Sequence, residues 1–336
     1  MRWVTVLLAA AGSAVIAVLV VHFGAGAVAR SLAAVGISGV VLICAIHLLL
    51  MAMMGLAWWV LLPGSGPWPV IWARLVRDSV AEVLPFSQLG GYVFGARALA
   101  VAGVPGGAAV ATTIVDVTQE FLAQIAYVAI ALSWLVARNP RSSLALPGAI
   151  GTGLAVAGAL AFVVAQRRGF GLLERALGRG WTAKTAVAAA SVHAAIAATY
   201  ARRRRVAASF GLHLIAWIAS AGEIWLALKL MGAGRSFGVV VAIESLLYAI
   251  RSLAFMAPNA LGVQEGAYVV LGMSFGLGPE TTLALSLLKR ARDFAIGLPV
   301  LGAYHLVETG RLWRVAGELP ESAGAAQKPR PMRPGF

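Results

Sequence analysis

Long apolar runs alternate along this chain with short polar or basic interruptions, and the runs are of bilayer length. Seven stretches, 3–23, 37–62, 107–137, 144–165, 206–231, 237–257 and 280–306, each hold the roughly 20 apolar residues that a helix needs to cross a hydrocarbon core. The pattern predicts an all-α polytopic membrane protein. An eighth stretch, 68–84, is less apolar, with Arg74, Arg77, Asp78 and Glu82 inside it. So many charges in one short helix suit an interfacial or cavity-facing position. Arg74, Asp78 and Glu82 stand four residues apart and share a face; on a plain solvated helix such a pair contributes only about 0.2–0.5 kcal/mol. The first run is followed by Ala27-Val28-Ala29, which resembles a cleavage site. It is longer than a signal-peptide core, and an uncleaved anchor is expected.

Two apolar stretches are broken. Residues 255–278 read FMAPNALGVQEGAYVVLGMSFGLG, where Pro258 ends the preceding helix and Asn259, Gly262, Gln264, Glu265 and Gly266 interrupt the apolar run before it resumes at Ala267. Residues 84–106 read LPFSQLGGYVFGARALAVAGVPG, with Pro85, Gly90, Gly91 and Gly95 as expected breakers. Pro85 and Pro258 are 173 residues apart, and Pro105 and Pro279 are 174 apart. Irregular backbone at membrane depth needs cover from protein or water. Interrupted segments at matching places in two halves point to a transport site at a repeat interface. The expected architecture is therefore seven to eight transmembrane helices with two re-entrant helical hairpins in two repeat-like halves. An ordinary surface loop at 255–278 is the plainer alternative. Residues 1–306 form one integral membrane domain: a first half 1–165, a cytoplasmic basic loop 166–205 and a second half 206–306, followed by a disordered tail, 307–336.

Composition narrows the class. A hydrophobic content of 60%, 12% charge and a mean hydropathy of +0.86 exclude an ordinary soluble domain. The net charge of +14 lies mainly between the apolar runs, where the positive-inside bias accounts for it, so nucleic acid is not an expected partner. Arg202–Arg205 sets topology or meets anionic headgroups. The lone Cys44 and five scattered histidines give no disulfide framework and no metal spacing. There is no phosphate-binding loop, dinucleotide fingerprint or nucleophile elbow. No cofactor is expected, and an enzyme is not the leading reading.

Charges inside the runs remain. Asp116 and Glu120 stand four apart; Glu244 and Arg251 stand seven apart; Lys289, Arg292 and Asp293 share one side of their run, with Arg290 further round; His213 and Glu223 lie in 206–231. Each ionised group costs roughly 2.5–3.5 kcal/mol at a helix centre on insertion scales, so these groups pair or line a wet cavity. Structural pairing, for instance Glu244 with Arg251, is the plain reading; a polar pathway is the functional one.

The sequence APNALGVQEG, with Pro258, Gly262, Glu265 and Gly266, followed by a run holding Arg290 and Arg292, resembles the membrane region of lysylphosphatidylglycerol synthases, a flippase-like family. The run VLPFSQLGGYVFGARAL is most like its hopanoid-biosynthesis-associated subgroup. Gln264 stands where many members carry a basic residue, and Gly90-Gly91 where many have a glycine and an acid. The soluble aminoacyl-transferase part of the full synthases is not expected here, nor is its activity. The resemblance implies an inner-membrane lipid flippase or transporter moving a polar-headed lipid, with a hopanoid or its precursor among the substrates to test. An intramembrane lipid-modifying enzyme and a scaffold for lipid-biosynthetic enzymes are the alternatives, and such enzymes are the expected protein partners. The expected substrate-binding residues are Asn259, Gln264 and Glu265 near Ser87, Gln88 and Arg97, with Asp116, Glu120, Lys289, Arg292 and Asp293 as a charged wall.

Overall fold

Apolar runs with almost no proline inside them fold as helices, and glycine or proline at their ends stops them. The computed structural model describes residues 2–84, 87–138, 183–253 and 258–317, with short helical pieces at 146, 149–150, 153, 156–161 and 164. Every element among these residues is helical: α1 (Arg2–Phe23), α2 (Ala25–Trp59), α3 (Pro67–Val83), α4 (Ser87–Val101), α5 (Gly106–Arg138), α6 (Ala183–Ala201), α7 (Arg203–Leu230), α8 (Phe237–Leu253), a 3-10 turn (Pro258–Ala260), α9 (Val263–Ser274) and α10 (Pro279–Gly317). Of these, α2, α5 and α7 are long and apolar enough to cross a membrane. The backbone of α2 breaks at Gly36, with φ of 65° and ψ of 168°, immediately before the apolar run expected to begin at residue 37.

Two helical pairs fold back on themselves. In the first, α3 and α4 are joined through Leu84 and pack side by side. In the second, α8 and α9 are joined through the turn at Pro258–Ala260. Among the described residues the limbs run 17 and 15 residues in the first pair, 17 and 12 in the second. This corrects the sequence reading in two ways. The broken segments 84–106 and 255–278 each supply the bend and second limb of a pair, whereas the first limb lies upstream. Gly90, Gly91 and Gly95 break nothing, because they lie inside α4. Gly91 and Gly95 instead let α4 close on α3: a Cβ on Gly91 would meet the Arg77 carbonyl oxygen at 2.6 Å, and one on Gly95 would meet Arg77 Cβ at 2.9 Å.

The two pairs also end alike. Val104 N–H bonds to the Leu99 carbonyl and Gly103 N–H to that of Ala100; 173 residues later Leu277 N–H bonds to Gly272 and Gly276 N–H to Met273. Gly103 and Gly276 both take positive φ, 96° and 74°. This is one helix-ending motif used twice, a glycine in left-handed conformation closing the last carbonyls. The helices after these turns, α5 and α10, are among the three longest, with α2.

Polarity is inverted relative to a water-soluble protein. Val21 and Ile37 stand 78% and 86% exposed, while Asp116, Glu244 and Glu265 are fully buried. Apolar residues outside and charges inside is the arrangement that a bilayer selects. The main apolar core joins α2, α5, α7, α8, α9 and α10; a second core joins α2, α3, α4, the start of α5 and Tyr304 of α10. At its far end α10 continues to Gly317, past residue 307 where the tail was expected to begin; residues 318–336 lie outside the described residues. Most of the basic loop does too, but its final part forms α6, packed on α5.

Candidate functional site

The helical pairs and α10 carry the charges into the interior, where most find a partner on another element, while Asp78 and Asp293 pair with arginines of their own helices. On α3, which packs in the interior, Arg74 reaches α5 with both terminal nitrogens on Glu120, at 3.0 and 2.7 Å, and its Nε donates to Asp78 at 2.6 Å. Arg77 donates to Asp116 at 2.7 Å and also to Glu120. The second Asp116 oxygen pairs with His213 Nε2 of α7 at 2.9 Å. Arg77 further stacks over Tyr92 of α4 at 4.8 Å, a cation–π contact that ties the second limb to the cluster.

On α10 three basic residues point three ways, as a 100° turn per residue dictates. Lys289 Nζ donates to Glu244 of α8 and to the Tyr268 hydroxyl of α9, both at 2.8 Å, and Tyr268 donates to Glu244. Arg290 grips Glu265 of α9 through Nε at 2.5 Å and Nη2 at 3.1 Å. Arg292 pairs with Glu223 of α7 and, at 2.6 Å, with Asp293. Glu223 also takes His47 Nδ1 of α2 at 2.9 Å. Glu265 has all four acceptor positions filled: the Gly262 N–H at 2.8 Å, which caps α9, Ser286 Oγ at 3.1 Å and the two Arg290 nitrogens. Gln264 donates to Ser286 at 2.9 Å.

A last group joins the bends. Arg251, near the end of α8, donates to both oxygens of Glu82, near the end of α3, at 2.9 and 3.0 Å. Asn259 Nδ2 donates to the Glu82 carbonyl, and Asn259 Oδ1 lies 3.4 Å from Arg251. Asn259 and Ala260 hold φ of 49° and 46°, a left-handed backbone that non-glycine residues adopt only at a cost of order 1–3 kcal/mol each. The two helical pairs are thus clasped end to end by Glu82, Arg251 and Asn259.

Among the expected site residues, Asn259, Gln264 and Glu265 sit together at the second bend and the start of α9, and Asn259 touches the first pair. Asp116 and Glu120 share one cluster. Lys289, Arg292 and Asp293 lie on one helix but serve two clusters, with Glu244 and with Glu223. Gln88 is exposed, and the Ser87 side chain lies outside the described residues. Arg97 is placed elsewhere: it is exposed and bonds Glu308 of α10 at 3.1 Å, ten residues or roughly 15 Å along α4 from Ser87. The proposed Glu244–Arg251 pairing is replaced by Lys289–Glu244 and Arg251–Glu82. Sequence reasoning left out Glu82, Arg77, His213, Tyr268, Ser286 and Arg290 from the site. The Ser286–Arg290 spacing of four was the available signal, since both then face α9.

Compared with known families, the chain matches the one described as the lysylphosphatidylglycerol synthase TM region, over residues 3–300. No curated protein and no solved structure matches it.

Proposed function

The chain belongs to the lysylphosphatidylglycerol synthase TM-region family, and from that premise we propose a multi-pass protein of the bacterial inner membrane that moves a polar-headed lipid between leaflets, leaving the lipid chemically unchanged. The carrying observation is the Glu82–Arg251–Asn259 clasp, which closes two short helical pairs over an interior lined with paired charges. At 1.5 Å per residue the fully described limbs α3 and α9 are about 26 and 18 Å long, short of a ~30 Å core, so we read both pairs as re-entrant hairpins. Five described helices then cross, α1, α2, α5, α7 and α10, and the apolar run 144–165 is read from the sequence as a sixth crossing. Counting the longer limbs α8 and α3 as crossings gives seven or eight.

In this reading a headgroup replaces protein partners. Opening the clasp frees Arg251 and Glu82, and a lipid phosphate or ammonium group exchanges for one member of each buried pair. The cost of exposing a charge is offset by the new pairing, which is how a polar headgroup crosses an apolar core without carrying its full desolvation penalty. Hopanoids and their precursors belong among the lipids to test.

The test is leaflet accessibility of labelled lipids in proteoliposomes, with wild type and the Glu265→Gln/Arg290→Gln double variant. The double change removes both charges and strands neither. Transport that drops about tenfold or more, with lipid mass unchanged, agrees with the proposal. A changed lipid mass would establish the enzyme instead. Full transport by a folded double variant removes this pair from the site.

A further inference from the structure

The face of α7 that meets α5 carries three polar atoms in a row: Ser209 Oγ, His213 Nδ1 and Trp217 Nε1, at successive steps of four residues. All three are buried and none has a hydrogen-bond partner among the described residues. Buried polar atoms are nearly always satisfied, so three orphans in one line need a common explanation. His213 supplies it. Its Nε2 faces a carboxylate of Asp116, which only accepts, so Nε2 carries the hydrogen, and in the neutral ring Nδ1 then holds the free lone pair. The open atom of this buried imidazole is its basic one.

Charge balance points the same way. Around His213 two guanidinium groups, Arg74 and Arg77, face three carboxylates, Asp78, Asp116 and Glu120. One negative charge is left over, and uncompensated buried charge is costly. A proton on Nδ1 cancels it. The same count recurs where Arg292 faces Glu223 and Asp293 and His47 sits on Glu223.

A groove lies one helical turn away. A groove of about 440 Å³ between α5, α6 and α7 is lined by Gln119, Tyr200, Arg203 and Phe210 among others. Gln119 is one turn from Asp116, and Phe210 one turn from His213, so the groove floor adjoins the pair on both helices. Beyond His213, Trp217 packs on Tyr248 at 4.5 Å, and the Tyr248 ring faces Lys289 Nζ at 5.2 Å.

We propose that His213 and Asp116 form a proton-binding site, entered from this groove and continued by the orphan row on α7. One proton adds to Nδ1, the imidazole becomes imidazolium, and the cluster passes from one net negative charge to neutral. The groups that face this site are Asp116 and Glu120 of α5 and Arg74, Arg77 and Asp78 of α3; Arg203 stands at the groove, α6 brings Tyr200 and carries His193, Tyr248 of α8 and behind it Lys289 of α10 lie beyond Trp217, and α2 presents uncharged Met54 at this level and His47 only at Glu223. Use of this proton to drive lipid movement rests on the transport reading above; the site itself does not.

The experiment is nitrogen NMR of the whole protein labelled at its five histidines, with His213 assigned by the signal lost in His213→Asn. Across the pH range in which the protein stays folded, Nδ1 of His213 should move reversibly from its lone-pair to its protonated position as pH falls, while Nε2 stays protonated. In a Cys44→Ser background, Ser209→Cys should react with a charged thiol reagent at least tenfold faster than Ile215→Cys, which lies on the opposite, exposed face. A His213 signal fixed across that range, or titration at Nε2, overturns the site. An unreactive Ser209→Cys overturns the route. Neither result depends on whether any lipid moves.

Discussion

With every acceptor of Glu265 occupied and Lys289 held by both Glu244 and Tyr268, these residues hold the interior together as much as they could serve a ligand. Removing one member of a buried pair leaves the other uncompensated, at about 3–5 kcal/mol, whereas removing both is far milder. Lys289→Met should therefore lower the unfolding temperature in detergent sharply, and Lys289→Met with Glu244→Leu should recover most of the loss. Equal losses in the single and the double variant would show that the pair contributes little. At this scale the sequence displayed the charges but not their partners. Glu244 and Arg251 share a helix face in the chain, yet each turns to a different neighbour, because α3 and α10 bring Glu82 and Lys289 closer. Spacing within one helix says which face a residue occupies; it cannot say which helix covers that face.

Among the elements, the pairing of α3 with α4 depends on two glycines that let backbones approach. Gly91→Ala would drive a methyl group toward the Arg77 carbonyl, and overpacking of this kind costs typically about 1–3 kcal/mol. We expect a lower unfolding temperature for Gly91→Ala and no change for Gly302→Ala, where a Cβ meets open space. The Arg77 contacts to Asp116 and Tyr92 should loosen with it, since Arg77 sits directly beneath Gly91. Much of this level was legible. The end of α3 at Leu84, the turn at Pro258, the turns at Gly103 and Gly276 and the 173-residue recurrence all stem from where helix breakers lie. The glycines of α4 were misread because glycine both breaks helices and packs them, and only the neighbouring backbone decides which.

Across the whole molecule, an apolar exterior surrounds an interior of paired charges, and the clasp is where the two helical pairs meet. Composition announced the exterior plainly. The clasp was half visible: Asn259 was marked by the broken segment, while Glu82 and Arg251 looked like members of separate helices. If lipid movement requires the pairs to part, tying them together must stop it. The decisive measurement is leaflet exchange of lipid in proteoliposomes holding Glu82→Cys/Asn259→Cys in the Cys44→Ser background, before and after a short cleavable thiol crosslinker joins the two positions. The account predicts exchange before crosslinking, loss of at least about tenfold afterwards, and recovery when the link is cleaved. Exchange that continues at its original rate across the locked clasp would contradict it.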